Sequence, residues 1–111
     1  MLPENITAIV ARNTRWTGEA ASEPYEAGWA QEVVIFVRAL KDPKGPQPQV
    51  RAEISPDGMR WLPEGTAADM PTTRDGIAVL RVKHFGNWLR VAARFAEGSE
   101  STVLVTLHAK A

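Results

Sequence analysis

Residues 88–95 read Trp88-Leu89-Arg90-Val91-Ala92-Ala93-Arg94-Phe95, and this stretch decides the fold. Leu89, Val91, Ala93 and Phe95 share one side of a two-residue repeat. Trp88, Arg90, Ala92 and Arg94 share the other. That repeat is the mark of a strand with one face on a core and one towards solvent. The neighbouring stretches agree with it. Val103, Val105 and Leu107 are expected to point inward from a last strand over residues 102–108, after a turn at Glu97-Gly98-Ser99-Glu100. Upstream, Gly76 to Lys83 alternates Ile77, Val79 and Arg81 with Ala78, Leu80 and Val82.

Further towards the N-terminus, Val50, Ala52 and Ile54 alternate with Arg51, Glu53 and Ser55. Ser55-Pro56-Asp57-Gly58 predicts a tight turn, with Met59 to Leu62 returning as a short strand that carries Trp61. Pro63 to Gly76 is polar and punctuated by Gly65 and Pro71, and reads as a loop with at most one short strand inside. Glu32 to Leu40 concentrates Val33, Val34, Ile35, Phe36 and Val37, which suits a strand buried on both faces or facing a partner. Lys41 to Pro48 holds three prolines and a glycine and must be a loop. Thr7 to Asn13 reads as a strand that Arg15 to Glu19 continues or follows. Glu19 to Trp29 has the composition for a helical turn, but Pro24 and Gly28 exclude a long helix. Seven or eight short strands separated by turns predict an all-β, antiparallel β-sandwich, of jelly-roll or Greek-key type, over residues 1–111 as one domain.

Composition narrows the function classes. The chain has 111 residues, 44% hydrophobic, enough to bury a core unaided. Thirteen basic and thirteen acidic side chains leave no net charge and no basic run, which argues against nucleic-acid and polybasic membrane-surface binding. The start, Met1-Leu2-Pro3-Glu4-Asn5, has no signal-peptide pattern, and the longest apolar run, Val33 to Val37, is too short for a membrane helix. The expected location is the cytoplasm, with a virion or particle surface compatible. Cysteine is absent, so thiolate catalysis, disulfides and thiolate metal sites are excluded. The two histidines, His84 and His108, have no metal-ligand spacing, and no cofactor or metal is expected. No GxSxG elbow is present, and the acids fall in turns or on polar strand faces, so the chain does not read as an enzyme. An enzymatic reading would need His84 to converge with acids such as Asp57 or Asp75.

The four tryptophans, Trp16, Trp29, Trp61 and Trp88, are the unusual feature. They suit core ends or a subunit interface, where Trp and Arg are enriched. Trp88 and Trp61 beside Arg90 would also suit a carbohydrate platform. Arg38, Arg51, Arg81, Arg90 and Arg94 recur on strand faces, where Glu32 and Glu53 could lie between them. Arg38 interrupts an apolar strand and is expected to meet a partner group rather than free water.

Two segments carry a resemblance. Ile54-Ser55-Pro56-Asp57-Gly58-Met59-Arg60-Trp61 resembles the SxDGxxW hairpin of small β-sandwich modules in phage and virion structural proteins and in uncharacterised bacterial proteins. His84-Phe85-Gly86-Asn87-Trp88-Leu89-Arg90-Val91 is similar to the strand that follows in such modules. The resemblance covers about the last 60 residues and implies a sandwich used as an assembling or decorating unit, with no catalytic residues. The resulting expectation is a non-enzymatic protein that self-assembles as a homo-oligomer through sheet faces or edges. A carbohydrate- or ligand-binding module is the alternative. The interface or binding candidates are Trp88, Arg90, Trp61, Arg38, Trp29 and Trp16.

Overall fold

The computed structural model describes residues 5–83 and 85–111. Among these, nine strands form: β1 (Asn5–Trp16), β2 (Glu19–Ala21), β3 (Tyr25–Glu26), β4 (Glu32–Ala39), β5 (Gln49–Ser55), β6 (Leu62–Asp69), β7 (Ile77–Lys83), β8 (Trp88–Arg94) and β9 (Ser101–Lys110). Two antiparallel sheets pack together. One has the order β1-β9-β4-β7, the other β2-β8-β5-β6, with β3 also on β8. The ladders are nested. β5 pairs β6 at the centre, β4 pairs β7 outside it, β2 and β3 pair β8, and β1 pairs β9 outermost.

The core follows from the alternation. Val33, Ile35 and Val37 of β4, Leu80 and Val82 of β7, and Val103, Val105 and Leu107 of β9 are buried on the inner face of the four-stranded sheet. Val50 and Ala52 of β5 and Leu89, Val91 and Ala93 of β8 meet them from the other sheet. The inward and outward sets read from β8 and β9 are those observed. Phe95 and Trp16 add to the same core.

Three segments differ from the sequence expectation. First, the turn after β5 is wider than a two-residue hairpin, and Met59 to Trp61 belong to it. Ile54 pairs with Leu62, so the loop spans residues 55–61. Side chains hold it open. Ser55 Oγ accepts from Gly58 N at 2.8 Å and Asp57 N at 3.3 Å. Asp57 Oδ1 accepts from Met59 N and Arg60 N, both at 2.9 Å. Such bonds replace the ladder contacts a tighter turn would make.

Second, the polar stretch after it is a full strand, β6. Its Pro63 and Gly65 suppress a strand signal, yet β6 is a sheet edge bonded on one side only, where proline is tolerated. Gly65 has φ +116°, next to the register shift between Arg51 and Glu53, a backbone state open mainly to glycine. Third, residues 19–29 contain no helix. They form β2 and β3, interrupted by Ser22 and Pro24. Ser22 N donates to Val91 O at 2.9 Å while Glu23 N donates to Val10 O at 2.7 Å, so this corner ties β8 to β1 across the two sheets. β1 itself runs through to Trp16, with register shifts and Asn13 at φ 48° along the way.

Leu107 is fully buried at the centre of this packing. Leu107→Ala is expected to cost about 2–5 kcal/mol in urea unfolding, since the sheets cannot close over the cavity.

Three carboxyls are held below the usual carboxylate range. Asp57 is lowered by the Arg60 and Met59 amides, Asp75 by the Arg38 guanidinium, and Glu100 by the Arg15 guanidinium. A lowered carboxyl contributes stability above its unfolded value and loses it as pH falls through the folded one. The urea midpoint should therefore hold steady from neutral pH down to about 5 and decline below about 4. Replacing Asp57, Asp75 and Glu100 together by Asn, Asn and Gln should flatten that acid limb.

Candidate functional site

The two sheets present outer faces of different chemistry. On the four-stranded sheet, outward residues of β4, β7, β9 and β1 lie in rows set by the register. Phe36 stands between Val79 of β7 and Thr106 of β9, and Thr106 is opposite Ile9 of β1. The next row holds Leu104, Arg38 and Ile77. Ile77 is 55% exposed and Ile9 44%, while Val34, Phe36, Val79 and Leu104 are half-buried by one another. His108 meets the Phe36 ring edge-on, with centroids 5.2 Å apart, and its Nδ1 lies 3.2 Å from Thr7 Oγ1. The result is an apolar cluster around Phe36 and Val79 with polar and charged groups at its rim and within its rows: Arg81 opposite Val34, and Arg38 between Ile77 and Leu104.

Arg38 sits on that rim. It is half-exposed, and its Nη2 donates to Asp75 Oδ1 at 2.8 Å. The group it meets thus belongs to its own chain, on the turn before β7. An outward-facing strand position exposes the guanidinium, so the apolar neighbours in sequence do not bury it.

The outer face of the five-stranded sheet is organised by Glu53. This carboxylate points outward from β5 and is only 8% exposed, because two arginines cover it. Arg90, directly opposite on β8, donates through Nε at 2.8 Å and lies 2.7 Å away through Nη2, both to Oε1. Arg51 donates through Nε to Oε2 at 3.1 Å. Trp61, from the loop before β6, stacks on Arg90 with the guanidinium carbon 4.3 Å from the ring centroid. Trp88 lies one step along β8, opposite Ser55. Its ring is close under the loop, where a Cβ on Gly58 would come within 3.3 Å. One face of each ring is therefore taken by its own chain.

The structure brings Trp61, Trp88 and Arg90 together on this face. Arg38 lies on the opposite sheet. Trp16 is 2% exposed in the core, opposite Ser101, and Trp29 packs half-buried against the core. Of the two acids expected between arginines, Glu53 takes that place, whereas Glu32 stands opposite Lys83 and Lys110. Of the site candidates, only Arg38 lies on the outer face around Phe36, where Val34 and Phe36, from the run expected to be buried on both faces or to face a partner, are half-buried. The signal for that face is the interleaving of Val34 and Phe36 with the inward residues of β4.

A proton-transfer site would require His84, which lies outside the described residues. Asp57 is engaged by backbone amides of its own turn, and Asp75 by Arg38 of β4. Among the described residues no three His, Asp or Glu side chains gather as metal ligands. Among the described residues there is no helix long and apolar enough to cross a membrane.

The fold and faces together define an antiparallel two-sheet β-sandwich with one apolar and one arginine-rich outer face. No protein-family model matches the chain, and no curated protein matches it in sequence. Among solved structures, the chain is similar to the SPBc2 prophage-derived protein YomS. The TM-score is 0.64 and the identity 8%, covering 100% of this chain and 96% of that one. At this identity the likeness shows a shared fold.

Removing Glu53 would leave two adjacent guanidiniums without their common partner. Glu53→Ala is expected to lower stability by about 1–3 kcal/mol, less than a fully buried pair would lose because both arginines reach solvent. Chemical denaturation of Glu53→Ala beside the Glu53→Ala/Arg51→Met double variant measures this. The double variant should recover part of the loss.

Proposed function

We propose that this protein is a non-enzymatic structural unit that associates with copies of itself through the outer face of its four-stranded sheet. The observation that carries this is the half-exposed cluster Ile9, Val34, Phe36, Ile77, Val79 and Leu104. A sheet face open to water ordinarily alternates to polar residues, so an apolar cluster of diagonal neighbours, with charges among and around it, favours a protein–protein contact. A second copy is a suitable occupant because the chain carries no net charge, and two copies meet without long-range repulsion. The rim offers both signs, with Arg38 and Asp75 at one end and Glu32, Lys83 and Lys110 at the other.

Faces are favoured over edges. β7 carries Arg81 and Lys83, β6 carries Pro63, and β1 is interrupted by register shifts, all of which discourage strand addition. The nested ladders support a jelly-roll reading, in which a long hairpin is rolled so that its paired strands are shared between two sheets. Such folds serve as capsid and lectin domains, and the prophage-derived neighbour supports this choice of architecture. A role in building or decorating a larger particle is the reading that goes with this architecture.

Sedimentation velocity at micromolar concentration tests the reading. The wild-type protein should sediment as a dimer or larger species. Phe36→Glu and Ile77→Asp should each weaken association by about tenfold or more while leaving the circular dichroism spectrum unchanged. A wild-type protein that stays monomeric at these concentrations overturns it.

A further inference from the structure

The outer face of the five-stranded sheet carries a row of small side chains between two rows of charged ones. Ala21 of β2 stands opposite Ala92 of β8, and Ala92 opposite Arg51 of β5. On one side of this row lie Glu19 and Arg94, paired at 3.5 Å. On the other lie Arg90 and Glu53. The alanines leave a slot of about 210 Å³, lined by Glu19, Ala21, Arg51, Arg90 and Ala92 among others.

Two guanidiniums border this slot, and each is already fixed in place. Glu53 binds both, and Trp61 backs Arg90. A guanidinium has five N–H donors. Arg51 spends one on Glu53 and Arg90 spends two. Among the described residues, the Nη groups of Arg51 and Nη1 of Arg90 have no protein partner, so they are free to donate to a ligand. Because the arginines are pre-ordered, little side-chain entropy is lost when they bind. The local charge is also informative. Arg51, Arg90 and Arg94 face Glu19 and Glu53, which leaves one positive charge, matched to a monoanion rather than a dianion. A planar carboxylate suits paired guanidiniums, and the alanine floor leaves room for the flat body that carries it.

We propose that this slot binds the carboxylate of a small organic acid. The site is on the sheet opposite the association face, so the two readings can fail independently.

The test is a titration of the intact, isotope-labelled protein followed by NMR at backbone amides and arginine Nε–H groups. The probes are sodium glucuronate, a sugar acid, and N-acetylalanine, an amino-acid carboxylate, at matched ionic strength. Each should give saturable shifts at Ala21, Ala92, Arg51 and Arg90, with a dissociation constant of about 1 mM, as a few charge-assisted hydrogen bonds would give. Binding of both acids would mean that the carboxylate alone is read. Binding of one would identify the scaffold that is also read. Arg51→Gln should weaken binding about tenfold. Ala21→Leu, at an exposed position outside the core, should fill the slot and abolish binding even if the arginine variant folds poorly. The proposal is overturned by the absence of saturable shifts or by an equal response to sodium chloride. Tighter binding of inorganic phosphate, or unchanged affinity in both variants, would overturn it as well.

Discussion

The β4–β9 pairing, with Phe36 opposite Thr106 and Val37 opposite Val105, is the constraint on which the rest of the molecule depends. It joins segments far apart in the chain at the centre of the four-stranded sheet. A slip of one residue would turn Val103, Val105 and Leu107 out to water and drive His108 and Thr106 into the core. The inner faces of β7 and β1 take their register from these two strands. So does the outer cluster around Phe36, since it consists of the residues that the same register turns outward.

The two outer faces show how one alternating pattern yields different chemistry. On the four-stranded sheet, Phe36 and Val79 stand directly opposite, and Val34, Ile77 and Leu104 lie diagonally beside them, with Arg38, Arg81, Thr106 and His108 in between. On the five-stranded sheet, outward positions alternate charged and small along β8 and β5. There a nearly buried Glu53 is tolerated because Arg51 and Arg90 complete its hydrogen bonds, while alanines beside them leave an open slot. The first face is apolar around Phe36 and Val79, and the second is charged around Glu53. Their separation lets one face be covered without closing the other.

Much of this was legible in the residues. The strands β5, β7, β8 and β9 and the two sides of each follow from period two alone, as does the placing of Trp88 and Arg90 on one side of β8. The errors have separate causes. β6 is an edge strand whose Pro63 and Gly65 mask it, because an edge needs only half its backbone groups in a ladder. β2 and β3 are too short to show a period, and they exist because β8 offers them an edge. The Ser55–Trp61 loop widens because Ser55 and Asp57 bond to its backbone, a choice that spacing does not reveal.

The sequence by itself determined which residues share a side of each long strand, and hence that a sandwich without cysteine chemistry would form. Alternation is a local property, fixed by the geometry of one extended chain. Which sides meet was decided only in the tertiary structure. Trp16 became core, Arg38 found Asp75, Glu53 came to sit between Arg51 and Arg90, and Phe36 gained its apolar neighbours. Each of these depends on register between strands distant in sequence, and register is set by how two whole faces pack rather than by any one segment.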